Sequence, residues 1–248
     1  MINIYSREDL QGMRRACLLA KSVLDYIEQY ITPGISTGEL DELCSEFMTN
    51  NGATSATLNY NGFPKSTCIS VNHVICHGIP GKYRLKNGDI VNIDITVVID
   101  GWFGDTSRTF QVGKITKQAE KLINVAKTAL DKGIEAVKIG GYFREIGYTI
   151  QRYVESQGFN IVRDYCGHGI GRSFHEDPQV LHHAVAEFDA IIAPGMFFTI
   201  EPMVNEGTHR SKVLSDEWTV VTADKSLSAQ FEHTLAVTHD GEVLVLTA

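Results

Sequence analysis

The sequence predicts an α/β (α+β) protein built as two pseudo-symmetric halves around an antiparallel sheet. Three observations carry this. Four segments repeat apolar residues at helical spacing. Seven others are β-branched or aromatic runs bounded by turn residues. The order of motifs in the first half of the 248 residues recurs in the second.

The first helix is marked by Leu10, Met13, Cys17, Ala20, Leu24, Ile27 and Ile31, three or four residues apart. Ser6, with Asp9 three residues on, offers a capping box at its start, and Pro33-Gly34 stops it. The second helix opens at Ser36 with Glu39 three residues later, and turns Leu40, Leu43, Cys44 and Phe47 inward. The third covers residues 118–137 through Ala119, Leu122, Ala126, Leu130 and Ile134. The fourth covers 144–156 through Ile146, Ile150 and Tyr153. The β runs are 67–71, 90–99, 107–112, 196–200, 218–222, 233–237 and 243–246. Asp100-Gly101 and Asp240-Gly241 each join two such runs, the signal of a two-residue hairpin.

A shift of 106 residues lays Gly34, Glu39, Leu40, Phe47 and Gly52 over Gly140, Glu145, Ile146, Tyr153 and Gly158. A shift of 107 lays Gly88–Asp94 over Gly195–Glu201, and His77-Gly78-Ile79 echoes His168-Gly169-Ile170. The matches keep their order, so the chain reads as one domain, residues 1–248, with repeat halves of about 6–112 and 113–248. Asp94 and Glu201 fall in corresponding places.

Composition narrows the class of function. The chain is 43% hydrophobic and 21% charged, as an ordinary globular protein is. Its 22 Lys+Arg against 30 Asp+Glu leave a net charge of −8, which argues against DNA or another phosphate backbone as the main partner. No segment approaches the ~18 consecutive apolar residues of a membrane span. The first residues lack the basic-then-apolar layout of a secretory signal. Five cysteines with no CxxC spacing suggest neither a disulfide framework nor a thiolate zinc site, and a reducing cytoplasm fits best.

The chemistry sits in carboxylates and histidines. Asp94 lies inside the apolar run 90–99, where an ionised carboxylate costs several kcal/mol unless compensated. With Asp100-Gly101 as hairpin loop, residue 96 pairs with 105, and Asp105 lies diagonally across from Asp94, about 7–8 Å away. Glu201 ends the run 197–200, Glu232 precedes another strand, and pseudo-symmetry brings this second pair to face the first. Four converging carboxylates imply two divalent cations, and oxygen-rich ligation with few imidazoles points to Mn²⁺, Fe²⁺, Co²⁺ or Zn²⁺. His168, between glycines, is the obvious nitrogen ligand, with His175 and His77 in similar turns. His182, His183, His209 and His239 read as surface residues. Cys68 and Cys76 read as small buried hydrophobes, the commoner role of a free cysteine. GxSxG, Walker, GxGxxG-after-strand and HExxH motifs are absent from the sequence.

Six motifs in order, Cys76–Pro80, Val91–Asp94, Gly104–Ser107, Tyr165–Gly171, Thr199–Val204 and Gln230–Thr234, together resemble the type I methionine aminopeptidases in their short bacterial form. The resemblance implies the pita-bread fold and a dinuclear site. In it Asp94 holds one metal, Asp105 and Glu232 bridge the two, and His168 and Glu201 complete the other. Cobalt, manganese, iron or zinc would fill the site. The implied reaction removes the initiator methionine from nascent chains, after deformylation, when the second residue is small and uncharged. A hydroxide activated by the two metals attacks, Glu201 shuttles the proton, His175 stabilises the oxyanion, and His77 bonds the region of the scissile bond.

The resemblance further implies a methionine pocket of Tyr60, Phe63, Cys68, Phe174 and Trp218, with Thr57 where many bacterial members carry Cys. Phe63 stands where Tyr is common and Asn61 where His is frequent. A cytoplasmic monomer with a transient ribosome contact is implied as well. Two alternatives stand beside this reading: an Xaa-Pro aminopeptidase or prolidase on the same fold, and a catalytically inactive pita-bread protein that binds peptide or RNA. The first normally carries an added N-terminal domain, and the second loses metal ligands that this chain keeps.

Overall fold

The computed structural model describes residues 1–186 and 190–248. The first half runs α1 (Asp9–Glu28), α2 (Thr37–Asn50), β1 (Thr54–Ser55), β2 (Cys68–Val71), β3 (Val74–Cys76), β4 (Ile90–Ile99) and β5 (Trp102–Gln111). The second runs α3 (Lys117–Glu135), α4 (Arg144–Ser156), β6 (Asn160–Ile161), β7 (Gly167–Gly169), β8 (Glu176–Val180), β9 (Phe197–Ile200), β10 (Met203–Asn205), β11 (Ser211–Val213), β12 (Val220–Thr222), β13 (Ser228–Gln230), β14 (His233–Val237) and β15 (Val243–Val245).

The four helices fall where periodicity puts them, and α2 begins on its expected cap. Ser36 Oγ accepts from the Glu39 N–H at 3.1 Å while Glu39 Oε2 accepts from the Ser36 N–H at 2.8 Å. Helical geometry in α1 begins only at Asp9, yet Ser6 still forms the reciprocal pair, with its N–H donating to Asp9 Oδ2 at 2.9 Å.

The long strands of the two main sheets are two-faced. In β4 the odd-numbered Val91, Ile93, Ile95 and Val97 pack with Met13, Cys17, Ala20 and Leu24 of α1 and Leu40 of α2. In the second sheet, Phe198, Ile200, Leu235 and Val237 pack with Leu122, Ala126 and Leu130 of α3 and Ile146 and Ile150 of α4. The opposite faces are polar: Asn92, Asp94 and Thr96 on β4, Asp105, Ser107 and Thr109 on β5, and Glu232 and Thr234 at β14. Each apolar face has its own helix pair, and the two sheets join at an edge between β5 and the segment 230–234, so their polar faces line one cleft.

The sheets meet through hydrogen bonds. Glu232 N–H donates to Ser107 O at 3.0 Å, Thr234 Oγ1 to Asp105 O at 2.7 Å, and Thr106 Oγ1 to Glu232 O at 2.8 Å. Asn92 Nδ2 and Thr109 Oγ1 both donate to Gln230 O, at 3.0 and 2.7 Å. A second seam pairs β3 of the first half with β12 of the second. These bonds satisfy buried polar groups that would otherwise oppose folding.

Three strand expectations are corrected. The run 107–112 is the end of a longer strand that starts at Trp102, because the hairpin carries Gly104 and Asp105 into the ladder despite their low β propensity. Asp240-Gly241 is not a two-residue hairpin: Val237 pairs Val243 and Thr238 N–H donates to Glu242 O, which leaves a three-residue loop. Trp218 lies outside its strand, which starts at Val220; Asp216 Oδ1 accepts from the Trp218 and Thr219 N–H groups and forms a turn there.

Candidate metal centre

The hairpin β4–β5 has the register the turn requires, with Thr96 opposite Asp105 and Asp94 opposite Ser107. Asp94 also lies opposite Cys68 of β2, so that cysteine opens onto the same face. Pairing of β9 with β14 puts Ile200 opposite His233, and the same register sets Glu201 against Glu232 just beyond the ladder. The halves are therefore not identical: the first pair is diagonal, the second directly opposed. His168 comes in on β7, where a bulge between His168 and Gly169 interrupts pairing with β8 and re-aims the ring.

Ligand atoms of Asp105, His168 and Glu232 all lie within 4.8 Å of one another, a group that can hold a metal ion. His168 Nδ1 faces its neighbour Gly169 O at 2.9 Å, so the donor tautomer there leaves Nε2 as a bare lone pair. That Nε2 stands 3.7 Å from both Asp105 Oδ2 and Glu201 Oε1. A lone pair aimed at two carboxylates is repulsive, and 3.7 Å is too long for hydrogen bonds, so the donor set fits a cation between them.

The acids are held by few donors. Thr96 Oγ1 donates to Asp105 Oδ1 at 2.8 Å, Thr199 Oγ1 to Glu201 Oε1 at 2.9 Å and Gln230 Nε2 to Glu201 Oε2 at 3.2 Å. Burial pushes Asp94 up to about 7, and burial with repulsion from Asp94 pushes Glu201 up to about 8. Asp105 and Glu232 rise well above the carboxylate range, again by burial first and then by mutual repulsion. Four acids that resist ionising together form a donor set whose repulsion a bound cation would offset.

The cluster floors a cleft of about 680 Å³ whose lining includes every site residue expected from the sequence: Thr57, Tyr60, Phe63, Cys68, His77, Asp94, Asp105, His168, Phe174, His175, Glu201, Trp218 and Glu232. Phe63 is buried and meets Trp218 edge-on at 5.1 Å, and Tyr60 contacts Phe174 at 4.9 Å. His175 stacks on Phe174 at 4.1 Å, lies 4.3 Å from the His168 ring, and has Nδ1 2.8 Å from Tyr60 Oη. His77 adopts a left-handed φ of 55° and stands between Tyr165 and Trp218; burial lowers its pKa to about 4, so the ring is neutral at pH 7.

Sequence reasoning missed one member of this site. His182 is not a surface residue: it is completely buried, and its Nε2 accepts from the Glu201 N–H at 3.1 Å. The apolar neighbours Val180, Leu181, Ala184 and Val185 are the one local hint of burial; its partner, the main chain of a residue beyond the next strand, has no local signal. His183 and His209 are half-buried, and His239 is exposed as expected. Gln230 was visible only as part of the Gln-Phe-Glu-His-Thr motif, without a role.

A two-layered fold of this kind around a buried acid–imidazole centre defines a metallopeptidase, and the model of metallopeptidase family M24 matches residues 11–239. The chain is 53% identical to methionine aminopeptidase of Escherichia coli K12 over 99% of its own length and 94% of the relative's. It superposes on the crystal structure of methionine aminopeptidase from Rickettsia prowazekii with a TM-score of 0.97 and 49% identity, covering all of both chains. Prolidase from Pyrococcus furiosus shares the fold at a TM-score of 0.79 and 23% identity, with 65% of that longer chain covered. The chain belongs to the methionine aminopeptidases of family M24, with the pita-bread fold.

Proposed function

We propose that this protein removes the N-terminal methionine from nascent chains whose second residue is small and uncharged. The observation that carries the reading is the buried centre of Asp94, Asp105, His168, Glu201 and Glu232 under an aromatic wall, with two further histidines beside it. Residues 1–248 act as one catalytic domain, and its repeat halves each supply part of the centre. Two divalent cations, Co, Mn, Fe or Zn, held by those five side chains would lower the pKa of water toward neutrality and polarise the scissile carbonyl.

The other steps belong to the chain. Glu201 takes the proton from the attacking water and delivers it to the leaving nitrogen; its Oε1 and Oε2 are oriented by Thr199 and Gln230. With the Tyr60 hydroxyl donating to Nδ1, His175 presents an Nε2–H to the developing oxyanion. His77, neutral at working pH, bonds the region of the leaving amide. The substrate's α-amine sits on the Asp94 side, which restricts cleavage to a first residue. Its methionine side chain packs on Tyr60, Phe63, Cys68, Phe174 and Trp218, with Thr57 at the edge; aromatic faces suit a thioether. The enzyme acts in the cytoplasm as a monomer, meeting nascent chains in brief contact with the ribosome. None of the described helices is long and apolar enough to cross a membrane, which accords with that setting.

The test is to incubate protein loaded with each of the four metals with Met-Ala-Ser, Met-Leu-Ser and Ala-Pro-Ser. Release of methionine from Met-Ala-Ser well above Met-Leu-Ser is expected. Release from Ala-Pro-Ser alone would overturn the reading in favour of an Xaa-Pro peptidase. No release together with no bound divalent metal would favour a binding protein.

A further inference from the structure

Two of the residues that place His175, Asn3 and Tyr5, lie far from it in sequence. His175 is on the segment 171–177, which enters β8 and has no helix or long strand to stiffen it. It is gripped by Tyr5. The Tyr5 hydroxyl donates to Glu176 Oε1 at 2.7 Å and accepts from the Arg172 N–H at 3.0 Å. Glu176 Oε1 also accepts from the Ser173 N–H at 2.9 Å, and Asn3 Nδ2 donates to Glu176 Oε2 at 2.8 Å. One hydroxyl and one carboxylate thus close the turn that carries Phe174 and His175.

The ring of Tyr5 is itself fixed. It stacks on Phe197 at 4.9 Å with 3° between the planes and meets Trp102 edge-on at 5.4 Å, while the Arg172 guanidinium lies 3.8 Å over the Trp102 ring. Tyr5 N–H donates to Gly195 O at 2.8 Å, and His239 Nε2 lies 2.8 Å from Tyr5 O. The approach is close enough that a Cβ on Gly171 would sit 2.2 Å from Tyr5 Oη. Burial, with the Glu176 carboxylate adding to it, pushes the hydroxyl up to about 12, so it remains a proton donor at any working pH.

We propose that Tyr5 is a positioning residue for the reaction: through Glu176 it sets the turn that aims His175 into the cleft. The proposal rests on the reading of His175 as the oxyanion donor. It predicts that the hydroxyl acts chiefly on the transition state: of the proposed methionine pocket only Phe174 lies on the turn it closes, while Tyr60, Phe63, Cys68 and Trp218 stand on other segments.

The experiment compares wild type, Tyr5→Phe, His175→Ala and the double variant, each metal-loaded, for kcat and KM on Met-Ala-Ser together with thermal midpoints. Tyr5→Phe keeps the stacked ring and removes only the hydroxyl. The expected result is a roughly five- to tenfold fall in kcat with a much smaller change in KM, the scale of one lost hydrogen bond. In the His175→Ala background the same change should have almost no further effect, because the group it positions is gone. Wild-type kcat in Tyr5→Phe overturns the proposal. Equal, additive losses in both backgrounds also overturn it, as they would show a general structural role. If wild type itself released no methionine, the functional reading would fail instead, and the two failures are thereby separate.

Discussion

His182 accepts the main-chain N–H of Glu201 through Nε2 at 3.1 Å, at a point where β9 has ended and Pro202 cannot extend the ladder. The imidazole thus replaces the strand partner that Glu201 lacks, and it holds the backbone of the proposed proton shuttle. His182→Leu should leave that buried N–H unpaired, lowering stability by about 1–3 kcal/mol and kcat with it. His182→Gln, whose Oε1 can accept the same bond, should recover much of both. Denaturation midpoints and kcat measured on the two variants decide it; a leucine variant with wild-type stability and turnover would remove His182 from the site.

Glu201→Gln keeps the size and one acceptor oxygen but cannot carry a proton. The expected kcat loss is about 10²–10⁴-fold, the usual contribution of a positioned acid–base group. The metal-free variant should be as stable as wild type or more so, because one of four mutually repelling buried acids is neutral. Stopped assays on Met-Ala-Ser and thermal melts in chelator test the two halves of this expectation.

The buried acids make stability depend on pH and on metal together. Asp94 at about 7 and Glu201 at about 8 bind protons more tightly folded than unfolded. Their contribution is complete below the unfolded carboxylate values and is lost as pH rises through those folded values, so metal-free protein should weaken from pH 6.5 to 8. Below pH 6.5 the buried His168 and His182, both lowered to about 3 by burial, act in the opposite direction by resisting protonation. Divalent metal should cancel the carboxylate effect. The melting point gained on adding Mn²⁺ or Co²⁺ should therefore grow between pH 6.5 and 8; a gain independent of pH would contradict the acid cluster as the binding site.

Gly104 is where β5 lies against α1: a Cβ there would stand 2.3 Å from the Ala16 carbonyl carbon. Gly104→Ala should cost about 1–3 kcal/mol by forcing helix and strand apart. Because Asp105 follows directly, metal affinity should fall as well. Isothermal titration with Mn²⁺ beside a denaturant melt separates the two effects.

Much of this was legible in the residues, and the reasons differ by element. All four helices show in their apolar spacing, and the Ser36–Glu39 box marks a start to within a residue. The Asp100-Gly101 turn dictates the whole register of β4 with β5, and so the diagonal of Asp94 and Asp105. The short strands β7, β8 and β13 were not legible. Gly167-His168-Gly169 and Glu176-Asp177-Pro178 have no alternation to read; β7 becomes a strand because the distant β9 lies alongside it, and β8 because it pairs with β7 in turn.

The sequence by itself determined which residue types could make a metal centre and which turns and faces carried them, because periodicity and turn chemistry are settled within ten or twenty neighbouring residues. Tertiary structure alone decided how they converge. The opposition of Glu201 and Glu232, the bulge that aims His168, the burial of His182 and the grip of Tyr5 on the His175 turn all join residues far apart in the chain. Each depends on two sheets that bury one face under helices and join at the edge of β5, so that their polar faces share one cleft.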